Sequence, residues 1–159
     1  MAAPLLSLYR RFIRWPAGNW LFSRAVCFKA PYFASISPTI TLLEPSRCEG
    51  VIRHRRRINN HLGTVHAIAM CNLAELVAGV MVDATLPADM RWIPKGMEVK
   101  YQAKALGTLK AVATPALPIV SATAGYDLPV KVSVTDAAGV EVFHATIAMW
   151  VSPRPSRTG

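Results

Sequence analysis

Asn60-His61-Leu62-Gly63-Thr64-Val65-His66-Ala67-Ile68, followed by Leu73-Ala74-Glu75, is the stretch on which the reading of this chain turns. A polar, turn-prone opening runs into an apolar segment from Val65 to Leu86. Its few polar side chains are His66, Asn72, Glu75, Asp83 and Thr85. This predicts one long helix, with Thr64 as N-cap and Leu86-Pro87-Ala88-Asp89 as its stop. Backbone N–H groups just inside a helix start have no partner within the helix, so an oxygen that gains negative charge can use them. A carboxylate inside a core helix is costly unless it is paired or used, which makes Glu75 the residue to explain.

On the N-terminal side, residues 4 to 14 read as a short helix. Leu5, Leu6, Leu8, Tyr9, Phe12 and Ile13 are its apolar positions, and Arg10, Arg11 and Arg14 are polar. A second short helix is expected from Trp20 to Cys27. Strands are expected over Ser37–Leu43 and Gly50–Ile58, joined by the turn chemistry of Glu44-Pro45-Ser46-Arg47. After the central helix, strands are predicted over Lys95–Ala105, Thr108–Thr114, Leu128–Thr135 and Glu141–Val151. Asp136-Ala137-Ala138-Gly139 is the hairpin between the last two. The order is helix, two strands, long buried helix, antiparallel meander. It is built most simply as α+β, one curved sheet wrapped around one apolar helix. The expected organisation is an N-terminal helical segment over 1–34 packed on the main domain over 35–152, with a flexible tail over 153–159.

Composition narrows the function. The 159 residues are 52% hydrophobic and only 17% charged, so part of the apolar surface is expected to lie in an oligomer interface. Eighteen Lys and Arg against nine Asp and Glu give a net charge of +9, which favours an anionic partner. Cys27, Cys48 and Cys71 are odd in number and lack metal-ligand spacing, as for reduced cysteines of a cytoplasmic protein. Residues 1–43 hold no Asp or Glu, so a mitochondrial transit peptide is one reading and a helix belonging to the fold is the other. Pro16-Ala17-Gly18 ends that helix early and favours the second. Val65–Leu86 is long enough to span a membrane, but His66, Glu75 and the strands that follow argue against an integral span.

The pattern Asn-x-x-Gly-x-x-His, with Leu73 seven and Glu75 nine residues after His66, resembles the hotdog-fold thioesterases of the phenylacetate-degradation type. More specifically the chain resembles the DUF4442 hotdog family. Arg14-Trp15-Pro16-Ala17-Gly18, Ala30-Pro31-Tyr32-Phe33, Tyr101-Gln102-Ala103-Lys104-Ala105 and Gly107-Thr108-Leu109 extend the likeness over roughly residues 8 to 153. The resemblance implies a hotdog fold assembled as a dimer or a dimer of dimers, its sheets joined edge to edge. It implies an acyl-CoA thioester as substrate and no cofactor.

In the resembled enzymes the N–H of the residue after the motif His binds the thioester oxygen, which points to Ala67. Two glycines often follow that His, where this chain has Ala67 and Ile68. A backbone donor survives the change, whereas close approach of a bulky acyl group is put in doubt. Glu75 lies eight residues after Ala67, about 12 Å along a helix. One thioester can hardly meet both, so the spacing predicts a composite site across a two-fold axis. Glu75 would be general base or nucleophile, and the residues leave this open. Its structural alternative is an ion pair with Lys100 or Arg55. Asn60 corresponds to a positioning Asn and is equally suited to a turn. His66 is read as a carbonyl ligand or a helix-entry residue, His61 as local packing, and Gly63 as a backbone requirement. Arg53, Arg55 and Arg57 are expected on one strand face. With Lys95, Lys100 and Lys104 they offer a rim for coenzyme A phosphates or simply a solvated surface.

No Gly-rich phosphate loop, zinc spacing or Gly-x-Ser-x-Gly elbow is present, no metal is implied, and no nucleic-acid motif accompanies the basic residues. The leading expectation is an acyl-CoA thioesterase-like hydrolase with Glu75, Asn60, Ala67 and His66 at the reaction centre and Gly63, Ile68, Arg55 and Lys100 on the substrate. The alternative is a non-catalytic hotdog protein that binds an acyl thioester or lipid. A third reading is a membrane-surface protein using the acid-free N-terminal helix.

Overall fold

A computed structural model describes residues 3–155. Two short helices, α1 (Pro4–Phe12) and α2 (Gly18–Lys29), lead through a 3₁₀ turn at Pro31–Ile36 to the hairpin β1 (Thr39–Glu44) and β2 (Arg47–Ile52). The long helix α3 (Ala67–Thr85) follows, and then β3 (Met90–Tyr101), β4 (Leu109–Pro115), β5 (Tyr126–Thr135) and β6 (Glu141–Pro153). The expected tail falls mostly on residues 156–159, which lie outside the described residues. Pro153 closes β6, and Arg154 bonds back to Asp89 and Met90.

All six strands pair antiparallel in one sheet of order β1-β2-β4-β5-β6-β3. The predicted meander is therefore corrected. β4, β5 and β6 do form one, but β3 crosses to the far edge and pairs with β6 rather than β4. The second strand is also shifted. Ser46 takes a left-handed φ of +63°, the hairpin closes at once, and β2 starts at Arg47 and ends at Ile52. Arg53, Arg55 and Arg57 thus lie beyond the strand and share no strand face. β3 runs from Met90 to Tyr101 rather than from Lys95 to Ala105, which leaves Lys104 beyond the strand, and it accommodates Pro94 at a bulge between Pro94 and Gly96.

The sheet curls around α3, as the hotdog resemblance implies. Leu73, Ala74, Val77, Ala78, Met81 and Val82 of α3 are buried, facing alternate residues of β4, β5 and β6 such as Leu109, Ala111, Val130, Val132, Phe143 and Ile147. Full burial of each large apolar side chain stabilises by about 1.5–3 kcal/mol before entropy is set against it. Helix and sheet approach closely: a Cβ on Gly50 would come within 2.8 Å of Val77, so only glycine fits there. Phe22 of α2, with Tyr9 and Phe12 of α1 edge-on at 5.0 and 6.2 Å, anchors the N-terminal helices beside β1. α3 is the one described helix long and apolar enough to cross a membrane, and 72% of that window is buried inside the fold.

Candidate functional site

The loop before α3 is organised by Asn60. Its Oδ1 accepts from the N–H groups of Leu62 (2.9 Å) and Thr64 (3.1 Å), and its Nδ2 donates to Thr64 Oγ1 (2.8 Å). Its own N–H donates to the Thr64 carbonyl. Gly63, at φ +77°, makes the reversal that this closed loop needs. Val65 and His66 are pinned through their N–H groups to the carbonyls of Ala105 and Ile58. Asn60 therefore spends its amide within the loop and fixes where the helix begins.

The cap is His66, not Thr64. His66 is extended (φ −63°, ψ 138°), and its Nδ1 accepts from the Ile68 N–H at 3.1 Å. That assigns the unprotonated position to Nδ1. Thr64 is buried two residues earlier as the partner of Asn60. The N–H groups of Ala69 and Met70 donate to the His66 carbonyl. Ile68, Ala69 and Met70 are thus satisfied, and among the described residues the Ala67 N–H has no hydrogen-bond partner. The chain leaves one oriented donor at the positive end of a 19-residue helix.

Glu75 is not where the apolar run placed it. It is exposed, on a stripe with Ile68 and Asp83 and the partly covered Cys71 and Gly79, all at three- or four-residue spacing. Among the described residues it makes no ion pair, so the alternative partners Lys100 and Arg55 are not used. β3 flanks the stripe: Trp92 Nε1 donates to Asp83 Oδ1 (2.6 Å), and Tyr101 OH lies 3.6 Å from Cys71 Sγ. The Cys71 contact, then burial, holds the Tyr101 phenol above its ordinary value. The outer edge of β3 has no strand beside it, with Ile93 and Tyr101 exposed.

Beside the helix start lies a cleft of about 220 Å³, lined by Tyr32, Ser35, Arg57, His66, Ile68 and Asn72 among others. Asn72 is buried; its Nδ2 donates to Ser35 Oγ (3.1 Å), and its Oδ1 has no partner. Asn72, Ser35 and Tyr32 are not among the expected site residues, whereas Arg57 of the expected basic rim does reach the cleft. The available signal was Asn72 itself, an amide within an apolar helix three residues before Glu75. Ile68 lines this cleft, more than half exposed. Gly63 and His61 are exposed at the loop tip, which corrects His61 from local packing. The Arg55 guanidinium donates to the Ile36 carbonyl (2.9 Å) and braces the turn before β1. Lys100 is exposed on β3. The structure thus gathers Asn60, Gly63, His66, Ala67 and Ile68 at the helix start and leaves Glu75 apart from them, two turns along.

The family model "Domain of unknown function (DUF4442)" matches residues 18–151. A structural-genomics crystal structure is 42% identical, with a TM-score of 0.80, covering 94% of this chain and 99% of its own. A thioesterase from Haemophilus influenzae has a TM-score of 0.69 at 12% identity, covering 80% of this chain and 87% of that one. A probable thioesterase from Pseudomonas aeruginosa has 0.70 at 19%, covering 88% and 97%. No curated protein matches the chain. The family match spans most of the sequence and the sheet-wrapped helix is shared with these thioesterases, so the chain belongs to the DUF4442 family and has the hotdog fold.

Proposed function

We propose that this protein is an acyl-CoA thioesterase-like hydrolase whose site is completed by a second copy of the chain. The observation that carries the reading is the Ala67 N–H, the one donor of the first helical turn left without a partner while its neighbours are capped. The thioester carbonyl oxygen rests on this N–H, where the helix dipole favours the charge that develops as water attacks. The base, or nucleophile, is Glu75. The two groups of one helix are about 12 Å apart, too far for one reacting carbon. An antiparallel α3 from a second copy brings its Glu75 opposite Ala67, and β3-to-β3 pairing is the way to place it. Such pairing also covers a long strand edge that is otherwise open.

As a base, Glu75 takes a proton from water as the oxygen adds to the carbonyl carbon. Collapse of the tetrahedral intermediate breaks the C–S bond, the thiolate of coenzyme A takes up the proton, and the acid is released. Asn60 and His66 act as positioning residues, holding the loop and cap so that the Ala67 N–H stays aimed. Arg57 in the cleft and the exposed Lys100 supply positive charge for the phosphates.

One observation favours a second reading, a binder without turnover. The Ile68 side chain stands exposed at the helix start, where the resembled enzymes often have glycine, and it narrows the approach to Ala67. Free-thiol release from short, long and aromatic acyl-CoAs by wild type and Glu75→Gln tests both. Turnover that collapses in the variant supports hydrolysis. Saturable acyl-CoA binding with no thiol release supports the binder.

A further inference from the structure

The N-terminal helices carry a surface that the proposed hydrolysis does not use. Leu8, Arg11 and Phe12 recur at three- and four-residue spacing along α1, and Trp15 follows in the turn after it. With Leu21 of α2 they line a groove of about 440 Å³. Phe28, seven residues after Leu21 on the same face of α2, is 92% exposed, and Trp15 is 69% exposed. Burial elsewhere on these helices is ordinary: Leu6, Tyr9 and Phe22 are inside. Large aromatic side chains held out of the core on two packed helices mark an interaction surface rather than scattered exposure.

Charge identifies the partner. The first 43 residues hold Arg10, Arg11, Arg14, Arg24 and Lys29 and no acidic residue at all. Arg24 is spent on the Pro38 carbonyl, whereas Arg10, Arg11, Arg14 and Lys29 are exposed on the same two helices and the turn between them, with Arg11 in the groove itself. Cations flanking Trp, Phe and Leu on helices that lie side by side suit the boundary between phosphate headgroups and acyl chains. A nucleic acid would meet the cations but gives no reason for the apolar groove. A second copy is poorly matched because the same positive face would oppose itself. The position also leaves the surface free. α2 packs on β1 at one edge of the sheet, and β3 lies at the opposite edge, so pairing through β3 does not cover it.

We infer that α1 and α2 form a docking face for anionic lipid surfaces, with Trp15 and Phe28 inserted at the interface and Arg10, Arg11 and Arg14 on the headgroups. The test is co-sedimentation of the full chain with phosphatidylcholine vesicles with and without phosphatidylglycerol, at low and high salt. Wild type is expected to bind the anionic vesicles, with blue-shifted Trp emission and weaker binding at high salt. Trp15→Ser with Phe28→Ser, which leaves charge and core intact, lowers partitioning at least tenfold. Arg10→Gln with Arg11→Gln and Arg14→Gln lowers it by roughly fivefold per cation removed. Circular dichroism melts of all three proteins are expected to coincide; if the double Ser variant melts early, insertion is read on Phe28→Ser alone, and if the triple Gln variant does, the headgroup contact is read on the exposed Arg10→Gln alone. No binding to anionic vesicles overturns the proposal, as does binding indifferent to Trp15 and Phe28. It is equally overturned by a lipid-free oligomer that dissociates in the double Ser variant, which assigns the face to a second copy. Tighter binding to a single-stranded oligonucleotide than to vesicles assigns it to nucleic acid.

Discussion

Two glutamates show how differently this fold treats a carboxylate. Glu49, on the outer face of β2, is nearly buried between Lys110 and Arg47, with Oε2 2.6 Å from the Lys110 ammonium and Oε1 3.0 Å from Arg47 Nε. The Lys110 hydrogen bond, opposed by burial and helped by Arg47, holds its carboxyl below the ordinary carboxylate value. Glu75 stands exposed on α3 with no cation within reach among the described residues. A carboxylate that serves the fold is enclosed by its counter-ions. Glu75, bare on the exposed stripe of α3, makes no ion pair within the described chain, so its carboxylate is free to meet a substrate or a second copy, as the proposed hydrolysis requires.

The contrast is broken most directly by neutralising each in turn. Glu75→Gln is expected to lower thioester turnover by about 10²–10⁴-fold, the usual range for loss of a general base. Its unfolding free energy should stay within the roughly 0.5 kcal/mol typical of surface changes, so its melting curve should nearly overlay the wild type's. A drop in Tm with activity intact would make Glu75 structural after all.

Ala67→Pro sharpens the other half of the site. Ala67 is the first helical residue, where proline is welcome, and His66 before it is already extended as a pre-proline residue must be. The substitution therefore deletes one N–H and little else. Turnover is expected to fall by about 10²–10³-fold, as for removal of one oxyanion donor, with the melting curve held. Unchanged kcat in a folded Ala67→Pro protein would remove the donor from the account.

Glu49→Gln is the converse case and has the smallest effect. It should cost about 1–2 kcal/mol at neutral pH, since both counter-ions are half-exposed, and leave turnover per folded molecule unchanged. The sign with pH follows from the lowered value. The cluster's contribution is complete above the ordinary 4.5 and is lost as pH falls through the folded pKa. Wild type and variant therefore differ most near pH 7 and converge in acid, measurable as denaturation midpoints across that range.

How much was legible depends on whether the deciding interactions were local. The central helix and its neighbours followed from apolar run length and turn residues. The β1–β2 hairpin is expected, but its second strand is shifted: the expected span runs on from Val51 and Ile52 through the arginines to Ile58, while the register is set by the left-handed Ser46. The crossing of β3 to the far edge depends on pairing with β6, more than forty residues away, and no local pattern announces it. In the site, Asn60, His66 and Ala67 stood out by motif, and their division of labour did not. The cap moved from Thr64 to His66 because Asn60 had already claimed the Thr64 hydroxyl. Glu75 is expected inside because the run around it is apolar, whereas Glu75 and Asp83, eight residues apart, mark the one stripe that the sheet leaves uncovered. Asn72 carries no local cue to its role, because its Ser35 partner comes from a distant turn.

Subunit complementation tests the composite site most directly. Ala67→Pro and Glu75→Gln proteins, each inactive alone, are mixed in equal amounts under conditions that exchange subunits, and thiol release is followed. A mixed dimer holds one site with both Ala67 and Glu75 intact, so random exchange should restore about a quarter of wild-type turnover. No recovery, with exchange verified by a tagged copy, would contradict a site shared between two chains.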